Sequence, residues 1–458
     1  MCSIFSWFVL GGALIVAVHA FINAPTAYDF LFLLPMAYFV TYFFGQRFAP
    51  KWITYKIVMF TAFLRYVLLP CLISYEPNYR VGSYICTSPD AINSAILYQC
   101  YELVFIFVFF CILGAKKKSF SYTVLPLKSS NFAIKTYLAL SAIVLILNPS
   151  VFEHVNFFRL DASTGQRVGE EEISTSLYIL RQLLVTSVLL AFVLFSTYFC
   201  RFYKSSGNRK YIYMNIILAI FCISMIIGEQ RSNQVYTAFA TIFVMRGIYP
   251  DEKKKITTIL LGAAFLVLAM LSIYKTFYAF NYDSYYEAVV ASNADNLLSY
   301  QGELYLLGPI SVAASFDMMN TLDYSFVTFI FDFFRSIMGL NFLVKDFDIE
   351  SSSVMFNKFV SSGQATNGIL LPISCHGAMF FSCIFGPALI CFFYRIALYL
   401  EKLMYKSRYL FVQFFSAYVF IRFSTCLVSS NTNTLLTMGS LVFIFVVPIY
   451  LFQKMLER

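Results

Sequence analysis

Side chains able to do chemistry are scarce in this 458-residue sequence, and most of them lie between its apolar stretches. There are three histidines, His19, His154 and His376. Imidazole titrates near neutral pH and is the commonest acid/base group, and the second and third of these are reachable from outside an apolar stretch. The carboxylates Glu229 and Glu303 and the arginines Arg159, Arg167, Arg231 and Arg335 also fall in polar stretches. A guanidinium is always charged and pairs through two parallel hydrogen bonds with carboxylate or phosphate. Arg65 and Glu102 instead interrupt apolar runs, where a lone charge costs roughly 2.5–3.5 kcal/mol in a membrane, so a buried ion pair between them is expected. The chain has no zinc-type cysteine pairs, no Walker or dinucleotide glycine loop and no EF-hand. Asp346-Phe347-Asp348 spells a metal-chelating D-x-D, but chance supplies so short a pattern readily in a chain of this length.

The elements that position these residues follow from composition. Hydrophobic residues make up 60% of the chain and charged ones 12%, and the mean hydropathy is +0.72. A soluble domain cannot bury that much apolar surface, so lipid is the expected solvent. The apolar stretches are continuous and do not alternate, which favours helices over a barrel. Spans of roughly 20 residues are expected near 4–22, 28–45, 53–74, 95–114, 131–148, 177–200, 211–228, 234–249, 256–279, 369–395, 409–428 and 435–452. The expected fold is therefore an all-α polytopic membrane protein of about twelve transmembrane helices. Helices 1–9 occupy 1–279, a large loop occupies 280–368, and helices 10–12 occupy 369–458. The first apolar run has neither a basic leader nor a small-residue cleavage site, and reads as a retained span.

Lysine and arginine set the orientation, because short cytoplasmic loops retain them. With the N-terminus inside, Arg47, Lys51, Lys116–Lys118, Lys128, Arg201, Lys204, Arg209 and Lys210 all face the cytoplasm. So do Arg246, Lys253–Lys255, Lys402, Lys406, Arg408, Lys454 and Arg458. Both termini are then cytoplasmic, and the net charge of +9 belongs to the inner face, so it does not imply nucleic-acid binding. The short span 234–249 and its predecessor form, as an alternative, a re-entrant hairpin around Gly228–Asn233. Cys86 alone sits clearly in an outer loop, and no disulfide framework follows.

Four outer regions remain: 75–94, 149–176, the short Gly228–Asn233, and 280–368. The last holds ten Asp or Glu against three basic residues and is too long for a mere connection. Its aromatics (Phe280, Tyr282, Tyr285, Tyr286, Tyr300, Tyr305) suit either an interfacial belt or a sugar-stacking surface. Residues 328–343, TFIFDFFRSIMGLNFL, have the pattern of an amphipathic helix lying in the interface.

Taken together, the span count, the large late outer loop, Gly228-Glu229-Gln230-Arg231-Ser232, Gly363-Gln364-Ala365-Thr366-Asn367-Gly368 and Ile384-Phe385-Gly386-Pro387-Ala388 resemble one family. It is the Wzy-type O-antigen and oligosaccharide repeat-unit polymerases of bacterial inner membranes. The paired Arg-x10-Gly pattern of some members is absent, and Arg159 to Gly169 is one residue short of it. The resemblance implies a membrane glycosyltransferase in the bacterial inner membrane, with the 280–368 loop in the periplasm. It moves a growing glycan from undecaprenyl pyrophosphate onto an incoming lipid-linked repeat unit, at the outer face and without a cofactor or metal. Partners implied are the lipid-linked oligosaccharide, membrane lipid, and a chain-length regulator and flippase. Arg231, Arg159, Arg167 and Arg335 are then the candidates to meet charge developing on pyrophosphate. The candidates to take the acceptor proton are His376, Glu303 and Glu229. A lipid pyrophosphate donor also needs no D-x-D. Two alternatives keep the membrane setting: a lipid-linked oligosaccharide flippase, which should show two related halves, and an O-antigen ligase, which shares the donor but not the acceptor.

Overall fold

The computed structural model describes residues 4–76, 89–115, 131–158, 175–227, 232–280, 298–344, 347, 349–360 and 370–457. Each of the twelve expected segments carries a helix. Among the described residues, seven helices are long and apolar enough to cross a membrane, and three shorter apolar ones (Phe132–Ile146, Lys210–Ile223, Leu410–Ser424) accompany them. The helices Leu33–Phe48 and Ser232–Ile248 occupy the two remaining positions. Their outward surfaces are apolar: on the first helix, Phe5 is 72% exposed, Phe8 75% and Ile15 72%. Apolar surface this continuous requires a non-aqueous solvent, and the chain is an all-α membrane protein. Among the described residues its departure from helix is a two-stranded antiparallel ribbon, Val155–Phe157 with Met225–Ile227, in the register Val155↔Ile227 and Phe157↔Met225.

The packing groups the chain into two units. One comprises Met1–Ser121, Asn296–Tyr399 and Arg422–Ser440; the other comprises Tyr122–Asp295, Leu400–Ile421 and Leu441–Arg458. In the first, the described residues of 298–360 fold with the opening helices. Helix Leu298–Tyr305 packs on Leu69–Ser74, and Pro309–Thr321 lies along Pro89–Ala115 with Pro309–Ser315 fully inside. In the second, Thr175–Ser206 packs on Lys210–Ile223 and Phe132–Ile146, and Ser232–Ile248 on Lys253–Phe280. In sequence the ribbon's strands run directly ahead of Arg159 and Arg167 on one side and of Glu229 and Arg231 on the other. These four residues themselves lie outside the described ones.

Two interruptions shape the first unit. The span Ile53–Ser74 contains a π-turn at Leu64–Leu68, where the Leu69 amide bonds the Leu64 carbonyl. Pro70 supplies the reason, since it has no amide to give and its ring crowds the preceding turn. The widened turn carries Arg65 inward. Its Nη1 donates to Glu102 Oε2 at 2.9 Å and to the Leu427 carbonyl at 3.3 Å, and its Nε donates to the Leu307 carbonyl at 2.8 Å. Tyr66 adds a hydroxyl to Glu102 at 2.9 Å, and Gln99 donates to Leu307 at 3.2 Å. The expected pair forms, with both side chains 1% exposed.

The second interruption lies in Ile373–Lys406, the expected tenth span. Ser382 has φ 73° and ψ 160°, so the chain reverses there and the segment is not one rod. Residues 371–379 are buried, whereas 381–385 are exposed. The two arms touch through glycine: a Cβ on Gly377 would strike the Gly386 carbonyl, and one on Gly386 would strike the Tyr98 hydroxyl and lie 2.6 Å from the Ser374 carbonyl. Gly386 of the family-like segment thus has a steric reason.

Replacing Arg65 by Leu leaves Glu102 buried without its cation and is expected to cost roughly 3–5 kcal/mol. The double variant Arg65→Leu/Glu102→Leu should regain part of that loss. Thermal melting of both variants in detergent checks this.

Candidate functional site

His376 sits on the short buried arm that precedes the Ser382 reversal, one residue before the glycine contact. Its Nε2 lies 3.1 Å from Asp332 Oδ2 and its Nδ1 2.8 Å from Thr432 Oγ1. Three elements converge on this imidazole. Asp332 comes from helix Phe326–Ser336, and Thr432 is the first residue of Thr432–Met455. The start of helix Ser352–Val360 completes the site, because the Ser352 amide donates to both Asp332 oxygens at 3.2 and 3.3 Å. The carboxylate therefore sits at a helix N-terminus, where negative charge is favoured. His376 is 2% exposed and Asp332 1%; Phe329 and Phe380 hold ring centroids 5.5 Å from the imidazole.

The partners fix the roles of the two ring nitrogens. A carboxylate oxygen accepts, so a ring that donates from Nε2 to Asp332 leaves its Nδ1 lone pair for the Thr432 hydroxyl. The order carboxylate, imidazole, hydroxyl is one that proton abstraction by an imidazole would use. A narrow crevice beside it is lined by Ser352, Ser353, Leu371, Asn431, Thr432 and Asn433 as well as His376. Asn431 caps the last span, accepting from the Thr434 amide at 2.9 Å while its Nδ2 donates to Ser353 Oγ at 2.8 Å. Ser352, Ser353, Asn431, Thr432 and Asn433 supply hydroxyls and amides around the crevice.

Glu303 lies in the same unit with partners of its own. Its Oε1 accepts from the Tyr28 hydroxyl at 2.8 Å and its Oε2 from the Ile310 amide at 3.1 Å. It serves as the N-terminal cap of helix Pro309–Thr321, a place Gly308 leaves open because a Cβ there would strike the carboxylate. Complete burial pushes its pKa up to about 7, against the opposing pull of Tyr28, the Ile310 amide and Arg65. Glu303 shares no hydrogen bond with His376. Arg335, three residues past Asp332, is half-buried and donates to the Phe347 carbonyl at 3.4 Å. Arg159, Arg167, Glu229, Arg231, Asp346, Asp348 and the 363–368 segment lie outside the described residues. His154 closes the short helix Pro149–His154 at the foot of the ribbon, and His19 hydrogen-bonds Ser74 Oγ at 2.9 Å.

Sequence reasoning reached His376 but not its partners. Thr328, Asp332 and Ser336 recur every fourth residue in an otherwise apolar helix, and all three are buried. That spacing marks a polar stripe turned inward. Thr432 belongs to the polar run Ser429-Ser430-Asn431-Thr432-Asn433-Thr434 ahead of the last span. Comparisons of the chain with protein families, with curated proteins and with solved structures find no match.

Because Glu303 binds its proton more tightly folded than unfolded, it contributes stability that is full below about pH 4.5 and is lost as the pH rises through about 7. Glu303→Gln keeps an oxygen to accept from the Ile310 amide, while its Nε2 can donate to the Tyr28 hydroxyl oxygen. Its melting temperature should therefore vary less with pH than that of the wild type across this window, by thermal melting at a series of pH values.

Proposed function

We propose that this chain is a polysaccharide polymerase, a membrane glycosyltransferase that joins undecaprenyl-pyrophosphate-linked oligosaccharide repeat units at the periplasmic face of a bacterial inner membrane. The observation that carries the reading is the buried His376 imidazole, held between the Asp332 carboxylate and the Thr432 hydroxyl. The sequence resemblance supplies the substrate class. In the reaction an acceptor sugar hydroxyl attacks the anomeric carbon of the growing glycan. The acceptor proton passes by way of the Thr432 hydroxyl to His376 Nδ1, while Asp332 stabilises the resulting imidazolium. The anomeric C–O bond breaks, its electron pair stays on the departing pyrophosphate, and arginine is the side chain suited to that charge. Arg231, Arg159, Arg167 and Arg335 are proposed for this role.

The residues around the His376 crevice include no lysine or arginine, which supports assigning acceptor chemistry to His376 and donor chemistry to the arginines. Removal of a general base typically costs 10²–10⁴-fold in rate. His376→Ala is therefore expected to lower chain extension at least about 100-fold while the folded yield in detergent is retained. Asp332→Asn should lower it as well, because an amide that donates toward Nε2 selects the wrong tautomer. Both are read from the glycan ladder on surface lipopolysaccharide. Deletion of the gene should leave cores that carry a single repeat unit, as should Arg231→Ala. Complete loss of that unit on deletion would instead favour the flippase or ligase reading.

A further inference from the structure

Helix Phe326–Ser336 is turned inside out relative to a helix in water. Its polar residues Thr328, Asp332 and Ser336 are buried, and its exposed positions are Phe326, Val327, Ile330 and Phe334. The turn that follows continues the pattern, with Phe342 66% and Leu343 51% exposed. A surface of this kind stands in water only at a large cost in apolar hydration. It is also continuous with the outside of a span. Phe326 and Phe329 lie edge-on to Phe381 at 5.9 and 5.0 Å. From Phe381 the exposed apolar row runs on through Ile384 and Phe385 into the long arm of Ile373–Lys406.

We infer that helix Phe326–Ser336 and the turn through Leu343 are immersed in the acyl chains of the leaflet on their side of the membrane, forming a wall whose outer face is lipid and whose inner face carries Asp332. The occupant of the apolar face is bilayer lipid, because the face joins the lipid-facing surface of a span, with the exposed Ser382 between Phe381 and Ile384. Arg335, at the helix's last turn with its guanidinium near the Phe347 carbonyl, reaches toward the headgroups as basic side chains do at this depth. A helix with its side chains is about 10–12 Å across, so the wall sets His376 within one helix diameter of hydrocarbon. Where the proposed polymerisation is right, a lipid-linked acceptor can keep its tail in the bilayer and offer only its sugar at the wall's inner side.

The test uses the full-length protein in phosphatidylcholine vesicles, with and without bromine on the acyl chains near the headgroup. Its tryptophans are Trp7, 62% exposed on the first helix, and Trp52, which is buried. With Trp7→Phe in place, Phe342→Trp adds one emitter over the Trp52 background, and the native Trp7 serves as reference. The added emission is expected to fall in brominated vesicles to the extent that Trp7 emission does, and to resist aqueous iodide. Quenching by iodide without loss in brominated vesicles would place the turn in water and overturn the inference. Resistance to both would mean that protein, such as a second copy, covers the face, and would overturn it equally. Ile330→Trp repeats the measurement on the helix itself should Phe342→Trp fold poorly. Emission reports position and not turnover, so this outcome is independent of whether His376→Ala stops polymerisation.

Discussion

Arg65 is buried and must find partners for its guanidinium within the protein, which it does for Nε and Nη1 but, among the described residues, not for Nη2. It does so by gathering four separate stretches of chain: Glu102 from the long helix Pro89–Ala115, the Leu307 carbonyl from the turn ahead of Pro309–Thr321, the Leu427 carbonyl from the short helix Cys426–Ser429, and its own π-turn. Leu307 adopts φ +53°, a conformation that costs a leucine energy and turns its carbonyl toward both Arg65 and Gln99. The Leu427 contact fixes the chain just before the residues that cap and begin the last span. The pair is not a strong source of net stability, since desolvation of two charges offsets most of their attraction. Its effect is to specify which backbone segments meet, and Thr432 and Pro309 both follow directly from segments it holds.

Downstream of that junction the first unit is arranged by helix beginnings. Glu303 caps Pro309–Thr321, Asp332 meets the first amide of Ser352–Val360, and Asn431 caps Thr432–Met455. Each cap satisfies amides that the helix cannot satisfy itself, which a membrane interior makes obligatory. Two of these caps also define the environment of His376. The imidazole is therefore positioned by the same polar groups that terminate helices, and the short arm bearing it can pack this tightly because Gly377 and Gly386 touch without side chains.

Most of the helical layout was legible in the sequence, since continuous apolar runs admit few alternatives at this length. The Arg65–Glu102 pair was legible too, because two opposite charges in neighbouring apolar runs have little choice of partner. The reversal at Ser382 was not: its two arms are both apolar, and hydropathy does not register a single residue at positive φ. The folding of the described residues of 298–360 into the first unit was hidden for a related reason. Its helices are short, and Pro309–Thr321 looks like an ordinary loop helix until its packing on Pro89–Ala115 is seen. The partners of His376 were spread over more than a hundred residues, from Asp332 to Thr432, and the one local clue was the four-residue polar spacing in 328–336.

The ribbon of Val155–Phe157 and Met225–Ile227 carries a consequence for how such a chain can change. Its antiparallel register ties the residues after the Pro149–His154 turn to those after the helix Lys210–Ile223, since a slip by one residue would turn every side chain to the wrong face. Beyond the ribbon, added or deleted residues cost little more than loop-closure entropy, about 0.6 kcal/mol for each doubling of length. Changes in length beyond Phe158 or Ile227 should therefore leave the packing of Thr175–Ser206 on Lys210–Ile223 in place.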